Sequence, residues 1–392
     1  MEEIVAAAVI LSGIALGNVW IVIAGFILFL ILFAIGYVAR HSFRGRTPHL
    51  ARARENPVLG PLPEHAWENQ AVFNPAAVYV GDRVHLLYRA LGEDGISRVG
   101  YASSADGVHF DERLPHPVFI ADIEHLLSKF RNPFTSPARS ELRYNPALYA
   151  SGGGWGGSED PRAVEIEGVV YMTYSAFNGW ESLRMMLTSL HADALLAKTW
   201  RWNKPVPLSP PGSIHKNWVL FPEKIHGKYA ILHSVAPEVE VEYVDDLSRF
   251  ERGEYIESHY DRTKGRPHHW DKWVRGTGAP PLKTSRGWLL FYHGMDPAHV
   301  HIGYNIGAML LDLEEPTKIL FRSSKPILTP DMPYENDWKP GVVYGSGAVI
   351  KDGTLFLYYG GGDKTVNVAT APLENFLRSL MHDEHAVLAP AV

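Results

Sequence analysis

In the run Gly156-Gly157-Ser158-Glu159-Asp160-Pro161-Arg162 an acid and a cation stand two residues apart. Pro161 biases Asp160 towards an extended backbone, which makes it the first residue of the strand continuing into Ala163-Val164-Glu165-Ile166. Two apart on an extended strand, a carboxylate and a guanidinium face the same side. The pair would offer one proton-handling group beside one fixed cation at the mouth of a sheet. The plainer reading is a strand-end salt bridge.

Other residues carry less pointed chemistry. The glycine runs at 152–157 and Gly360-Gly361-Gly362-Asp363-Lys364 have neither a Walker spacing nor a following helix, which argues against nucleotide binding. Asp363 could hold sugar hydroxyls or bond its own turn backbone. The 19 histidines include His299 and His301 near Asp296, and the adjacent His268 and His269, but no His-Glu-x-x-His pattern, so no metal is expected. Trp155, Trp180, Trp218, Trp273, Trp288 and Trp338 are candidates for stacking on sugar rings or for the core. Glu223 and Glu335 are further carboxylates near the openings of repeat units, as bases or as structural hydrogen-bond partners.

The elements that would position these groups repeat. Beyond Pro57, short runs rich in Val, Ile, Tyr, Phe and Trp alternate with Gly, Asp, Asn and Pro turns, which predicts an all-β domain. Each unit starts with a small or polar residue near a Pro or Gly. A strand, a turn and an aromatic-rich strand follow, and usually a third strand of small and apolar residues. The units open at Asn74-Pro75, Asp160-Pro161, Asn217-Trp218, Gly278-Ala279 and Gly345-Ser346. Five such units, mostly about 60 residues apart, predict a five-bladed β-propeller, with a two-sheet sandwich as the alternative. A propeller would gather Asn74, Asp160, Arg162, Asn217 and Ser346 around a central pit, a polar ring with a single acid. The insertion at 120–155 would be a lid or a solvated loop with a short helix at 123–130. Residues 373–381 would form a helix on the last unit.

Ahead of this domain, residues 4–39 carry no charge, and the run exceeds the ~20 residues one helix needs to cross a bilayer. Residues 19–39 are the most apolar part, with Trp20 and Tyr37 as interfacial anchors. Residues 4–17 would extend that helix or form the other half of a hairpin. The acidic start Met1-Glu2-Glu3 argues against a cleaved signal peptide. Arg40, Arg44, Arg46, Arg52 and Arg54 follow the span, which places the domain in the cytoplasm under the positive-inside rule. The expected division is a transmembrane anchor at 1–40, a basic juxtamembrane linker at 41–56, a propeller at 57–382 and a tail at 383–392. The lipid bilayer would be a partner through a single pass or a hairpin. A net charge of -6 gives no sign of a nucleic-acid partner. The chain has no cysteine, which excludes disulfides, Cys-ligated zinc and thiol catalysis.

Several motifs together carry a resemblance. They are Val72-Phe73-Asn74-Pro75-Ala76, Leu87-Tyr88-Arg89-Ala90, Ser97-Arg98-Val99-Gly100-Tyr101-Ala102, Glu159-Asp160-Pro161-Arg162, Lys216-Asn217-Trp218-Val219-Leu220-Phe221-Pro222-Glu223, Leu290-Phe291-Tyr292-His293-Gly294 and Tyr358-Tyr359-Gly360-Gly361-Gly362-Asp363. In this order they closely resemble glycoside hydrolase family 130. The resemblance implies a five-bladed propeller and an inverting enzyme acting on β-mannosides, in most members a phosphorylase and in some a hydrolase. It implies Asp160 as the general acid, acting through a hydroxyl of the mannosyl unit while phosphate attacks the anomeric carbon from the opposite face. Arg89, Arg98, Arg162 and Lys216 match the basic positions that would hold phosphate, with His233 as a further candidate. Asn74, Asn217, Asp363, Tyr292 and His293 would meet the sugar. No cofactor is implied beyond inorganic phosphate as co-substrate. In Arg275-Gly276-Thr277-Gly278-Ala279-Pro280-Pro281, Ala279 stands where the family usually has a further proline.

The chemistry agrees with that resemblance. An inverting hydrolase needs a second carboxylate ~6.5–9.5 Å from the acid to activate water. Phosphate is already an anionic nucleophile and needs cations instead. The expected function is phosphorolysis of a β-mannoside oligosaccharide or glycoconjugate to α-mannose 1-phosphate. The alternatives are an inverting β-mannosidase with Glu223 or Glu335 as base, and a non-catalytic membrane-tethered glycan-binding propeller.

Overall fold

The structure, a computed structural model, describes residues 19–43, 48–120, 154, 156–177, 183–212, 214–297 and 303–383, with backbone alone for 32–43. The expected helix at 123–130, Trp155, Trp180, His299 and His301 lie outside the described residues.

Helix α1 (Val19–Phe43) comes first. Among the described residues no helix is long and apolar enough to cross a membrane. This overturns the expected transmembrane anchor, and with it the bilayer partner and the cytoplasm-facing topology. The orientation argument also loses one of its arginines. Arg52 is turned inward, 16% exposed, with its guanidinium on the buried Glu335.

The β-structure runs in five units. Strand β1 (Ala51–Arg52) precedes them and joins the sheet of the fifth; the first unit is β2 (Ala71–Val80), β3 (Arg83–Leu91), β4 (Ile96–Ser104) and β5 (Glu112–Arg113). The second is β6 (Gly156–Ile166), β7 (Val169–Phe177), β8 (Leu183–His191) and β9 (Val206–Pro207), with the short helix α2 (Ala192–Leu196) before β9. The third is β10 (Val219–Leu220), β11 (Tyr229–Val235) and β12 (Val239–Val244). The fourth is β13 (Trp273–Thr277), β14 (Leu282–Thr284), β15 (Gly287–Met295), β16 (Asn305–Leu311) and β17 (Ile319–Arg322). The fifth is β18 (Val343–Lys351), β19 (Thr354–Gly361) and β20 (Thr365–Pro372), followed by α3 (Leu373–Met381). Helix α3 buries Phe376, Leu377 and Leu380, as the sequence predicts for 373–381.

The meanders follow from turn chemistry. Gly81-Asp82, Glu167-Gly168, His226-Gly227 and Asp352-Gly353 all have positive φ at both residues. That is the two-residue hairpin whose twist matches the strands it joins. The core lies between neighbouring sheets. Val219, Phe221 and Leu232 of the third unit, for example, pack against Trp288, Leu290 and Tyr292 of the fourth.

The five units do not stand as five separate blades, and the expected five-bladed propeller is corrected. The strands form four sheets, of eight, three, five and four strands, and no sheet closes on itself. The first two units share the eight-stranded sheet because β4 and β6 pair in parallel, Ile96 with Gly156 and Ser97 with Gly157. Glycine permits this join. A Cβ at Gly157 would lie 2.1 Å from the Ser97 carbonyl oxygen.

The opening strands are bulged. The register shifts at Phe73/Ala76 in β2, Glu159/Arg162 in β6, Val274/Thr277 in β13 and Gly345/Gly347 in β18. Asn74, Asp160 and Gly276 sit in those bulges with positive φ, and Asn217, just ahead of β10, has the same conformation. Asp160, at φ 49, is therefore left-handed and not extended as Pro161 suggested. Bulges re-aim side chains, and here they break the two-residue alternation expected of Asp160 and Arg162.

Three units carry the same buried triad, which sequence reading missed. A carboxylate from the segment before the opening strand accepts from a Tyr of the aromatic strand and from an Arg of the outer strand. In the first unit these are Glu68, Tyr88 and Arg113. In the fourth they are Asp271, Tyr292 and Arg322. In the fifth they are Glu335, Tyr359 and Arg52, with β1 pairing against β20. Arg52 holds Glu335 through Nε at 2.7 Å and Nη2 at 2.9 Å. A lysine cannot reproduce that fork, so Arg52→Lys is expected to lower unfolding stability by about 1–2 kcal/mol. A urea midpoint equal to that of the parent chain would refute this.

Candidate active site

The opening residues converge on a cavity of about 240 Å³. Asn74, Asp160, Asn217 and Asp363 line it, with Lys216, Arg262, Arg275 and Lys339 as cations and Tyr260, Tyr304 and Tyr344 as aromatic walls. Of the expected sugar residues, Asn74, Asn217 and Asp363 are at the cavity, and of the expected cations Lys216 is.

Arg89 and Arg162 stand behind the wall, both buried. Arg89 is forked over two adjacent carboxylates, with Nη1 donating to Asp160 Oδ1 at 3.1 Å and Nη2 to Glu159 Oε1 at 3.0 Å. Its Nε donates to Ser97 Oγ at 3.0 Å. Asn74 Nδ2 donates to the same Asp160 oxygen at 2.8 Å. Arg162 donates to the Asp160 main-chain oxygen at 2.6 Å, to Asn217 Oδ1 at 3.0 Å and to Gly278 O at 3.2 Å. Asn217 Oδ1 also accepts from Tyr344 OH at 2.6 Å, and its amide donates to Arg275 O at 2.8 Å. The amides at the bulges are thus held by the frame behind them. Asn74 Oδ1 is buried and has no protein partner.

Burial alone would raise the proton affinity of Asp160. Arg89, Lys216 and Arg162 outweigh it and hold the carboxyl well below the usual carboxylate range. Asp160 is therefore an anion at neutral pH. Lys339 donates to Asp363 Oδ2 at 2.8 Å, and Arg275 Nη2 to Tyr304 OH at 2.7 Å. Burial pulls the Lys339 ammonium down, but Asp363 more than restores it, so the cation stays charged.

His293 lies under this floor, fully buried and stacked on Tyr344 with ring centroids 3.9 Å apart. Burial and the nearby Arg162 lower its pKa to about 3, so the ring is neutral. An unfolded histidine titrates near 6.5, so between about 6.5 and about 3 the unfolded chain binds the extra proton. Stability contributed by the neutral ring is present at higher pH and lost as pH falls through that window. The urea midpoint is expected to drop over this range, and to drop less steeply in His293→Phe. Parallel slopes for the two proteins would refute it.

Besides Arg89, Arg162 and His293, which stand behind the cavity, three expected residues are brought neither to it nor to its wall. Arg98 pairs with Asp94 in the turn between β3 and β4, Nη2 to Oδ2 at 2.5 Å. His233 packs edge-on to Trp218 and pairs with Glu240 at 3.4 Å. Tyr292 is spent on the triad with Asp271 and Arg322. Their strands match the motifs, but these side chains leave the strands on the far side from Asp160. Of the two candidate bases, Glu335 is locked by Arg52 and Tyr359, and Glu223 pairs with Lys283 on the surface. Trp218 and Trp288 are core, and Trp338 is exposed. Among the described residues no group of His, Cys, Asp and Glu could hold a metal.

Arg262, Arg275, Tyr304, Lys339, Tyr344 and the wall-forming Glu159 were not singled out from the sequence. A signal for some of them existed. The residue before each left-handed position is Glu159, Lys216 or Arg275 in units two to four, and each reaches the cavity or its wall.

The site sets an acid against several cations in a polar pit on β-meander sheets. The chain belongs to the family whose model is described as β-1,4-mannooligosaccharide phosphorylase, which matches residues 127–382. It is 37% identical over 336 residues to the 1,2-β-oligomannan phosphorylase of Thermoanaerobacter sp. (strain X514), covering 83% of this chain and 98% of that one. It is 33% identical to the β-1,2-mannobiose phosphorylase of the same organism, again covering 83% and 98%. Among solved structures, the β-1,2-mannobiose phosphorylase of Listeria innocua superposes with a TM-score of 0.61 at 24% identity, covering 84% of this chain and 99% of that one. Both relatives are named as glycoside phosphorylases, enzymes that use phosphate as co-substrate, and this chain is an enzyme of their family.

Proposed function

We propose that this enzyme cleaves β-mannosides with inorganic phosphate, releasing α-mannose 1-phosphate and a shortened acceptor, and that its preferred linkage is β-1,2. One observation carries the reaction type. The cavity presents Asp160 together with Lys216, Arg262, Arg275 and Lys339, whereas Glu223 and Glu335 are tied elsewhere. The other two cavity carboxylates are also engaged, Asp363 by Lys339 and Asp261 by the backbone and hydroxyl of Thr263. Among the described residues no carboxylate is poised to activate water, and cations are poised to hold a phosphate. The linkage is supported by the relatives that are 37% and 33% identical, both named for β-1,2-mannosides.

In this reading Lys216, Arg275 and Lys339 hold the phosphate below the anomeric carbon. Asn74 Oδ1 and Asp363 accept from mannosyl hydroxyls. The incoming anion offsets the cations that keep Asp160 ionised, and the carboxyl then takes up a proton. Phosphate oxygen forms the new bond to the anomeric carbon while the bond to the leaving oxygen breaks. Asp160 supplies that oxygen with a proton through a mannosyl hydroxyl. Arg89 and Arg162 set Asp160 in place from behind.

The test is incubation with β-1,2- and β-1,4-mannobiose, each with and without phosphate, followed by NMR of the sugar products. Phosphate-dependent α-mannose 1-phosphate from the β-1,2 disaccharide is expected. Free mannose as the sole product without phosphate would overturn the reaction type, and faster turnover of the β-1,4 disaccharide would overturn the linkage.

A further inference from the structure

Glu159 is fully buried and touches neither solvent nor the cavity. One oxygen accepts from Arg89 Nη2 at 3.0 Å and the other from Lys216 Nζ at 3.3 Å. Arg89 gives its other terminal nitrogen to Asp160. One guanidinium is thus divided between two neighbouring carboxylates, and the cavity lysine is shared out by the same residue. A buried, doubly bridged acid costs desolvation that a neutral residue would avoid, so its charge calls for a reason.

We propose that Glu159 is a positioning residue for the proton transfer, drawing part of the charge of Arg89 and Lys216 away from Asp160. The inference rests on the phosphorolysis reading. Asp160 must carry a proton to serve the leaving oxygen, yet Arg89, Arg162 and Lys216 all favour its ionised form. The remaining groups facing this cluster are Asn74 from β2, Arg275 from β13, His293 from β15, Tyr344 from β18, Asp363 in the β19–β20 turn and Lys339 from the segment ahead of β18. His293 is neutral and Asp363 is offset by Lys339. That leaves Glu159 as the anion, among the described residues, that sits directly on two of the cations acting on Asp160. Without it, the undivided charge of those cations would lower the proton affinity of Asp160 further.

The charge argument gives opposite signs for two kinetic quantities. Glu159→Gln keeps the shape and removes the charge. Asp160 then binds its proton less tightly, and the alkaline limb of kcat moves to lower pH by about one unit, with kcat at neutral pH down about tenfold. The cavity becomes more positive, so KM for phosphate does not rise. A role in packing alone would raise KM for both substrates and leave the limb in place. Glu159→Asp, which keeps the charge, leaves the limb near that of the wild type. Coincident limbs for wild type and Glu159→Gln overturn the proposal, as does a raised phosphate KM with an unmoved limb.

Should Glu159→Gln lose its cooperative unfolding transition, the comparison moves to Lys216→Met and the Glu159→Gln/Lys216→Met pair, which balances the lost charges. The pair's limb is expected about one unit below that of Lys216→Met, and equal limbs overturn the proposal. A wild type without phosphate-dependent turnover fails the phosphorolysis reading and takes this inference with it. Normal wild-type turnover with coincident limbs fails the inference alone.

Discussion

Replacing Asp160 with Asn is expected to lower phosphorolysis of β-mannobiose by about 10²–10⁴-fold, the range lost with a general acid, while the chain stays folded. The amide keeps an oxygen for Asn74 Nδ2 and Arg89 Nη1, which now meet at Asp160 Oδ1. Arg89 also retains Glu159 and Ser97. What the amide cannot do is carry a proton to the leaving oxygen. The loss should therefore depend on the leaving group. A nitrophenyl β-mannoside, whose phenolate departs without protonation, should lose far less than the disaccharide. Equal losses for the two substrates would mean that Asp160 acts by position alone. Disaccharide activity within tenfold of the wild type would remove it from the mechanism.

Gly157→Ala should destabilise the chain by on the order of 3 kcal/mol, through collision and backbone strain together. At φ +102 an added Cβ would lie 2.1 Å from the Ser97 carbonyl oxygen, and both partners are backbone, so neither can swing away. The parallel join of β4 and β6 would have to open. Glu159 and Asp160 follow on the same strand, so activity should fall with stability. Gly168→Ala is the comparison. It has φ +82 in a hairpin turn, but nothing lies within 4 Å of its new Cβ, and backbone strain alone should cost about 1 kcal/mol. Urea melts with unchanged slopes would report both values. Equal midpoints for the two variants would refute the collision argument.

The repeat was legible because it is written in local chemistry. Aromatic strands and Gly- or Asp-bearing turns recur, and turns such as Gly81-Asp82 and Asp352-Gly353 specify their hairpins unaided. The convergence of Asn74, Asp160 and Asn217 follows from the repeat, since equivalent residues occupy equivalent places. The sharing of one sheet by two units was not legible. It depends on a parallel contact between Ile96-Ser97 and Gly156-Gly157, some sixty residues apart, with no periodic pattern to announce it. The bulges were missed because a Pro after Asp160 argues for extended backbone, while the fold imposes a left-handed residue there. Motif matching also misplaced Tyr292 and Arg98. It identifies the strand but not whether a side chain faces the pit or the core. Lys339 comes from the irregular segment ahead of β18 and Tyr304 from the connection before β16, where a sequence carries little record of direction.

The pairing of β1 with β20 also bears on the order in which the molecule can be built. Arg52 and Glu335, which close the last triad, are 283 positions apart. A ribosome adding about 5–20 residues per second takes on the order of tens of seconds to cover that distance. During that interval the first ordered strand has no partner, and four units must wait with one edge of the assembly open. The clasp can form only after the fifth unit has left the ribosome. Joining β1 to β20 therefore cannot precede the synthesis of the fifth unit, and it makes the finished sheet depend on both ends of the β-structure.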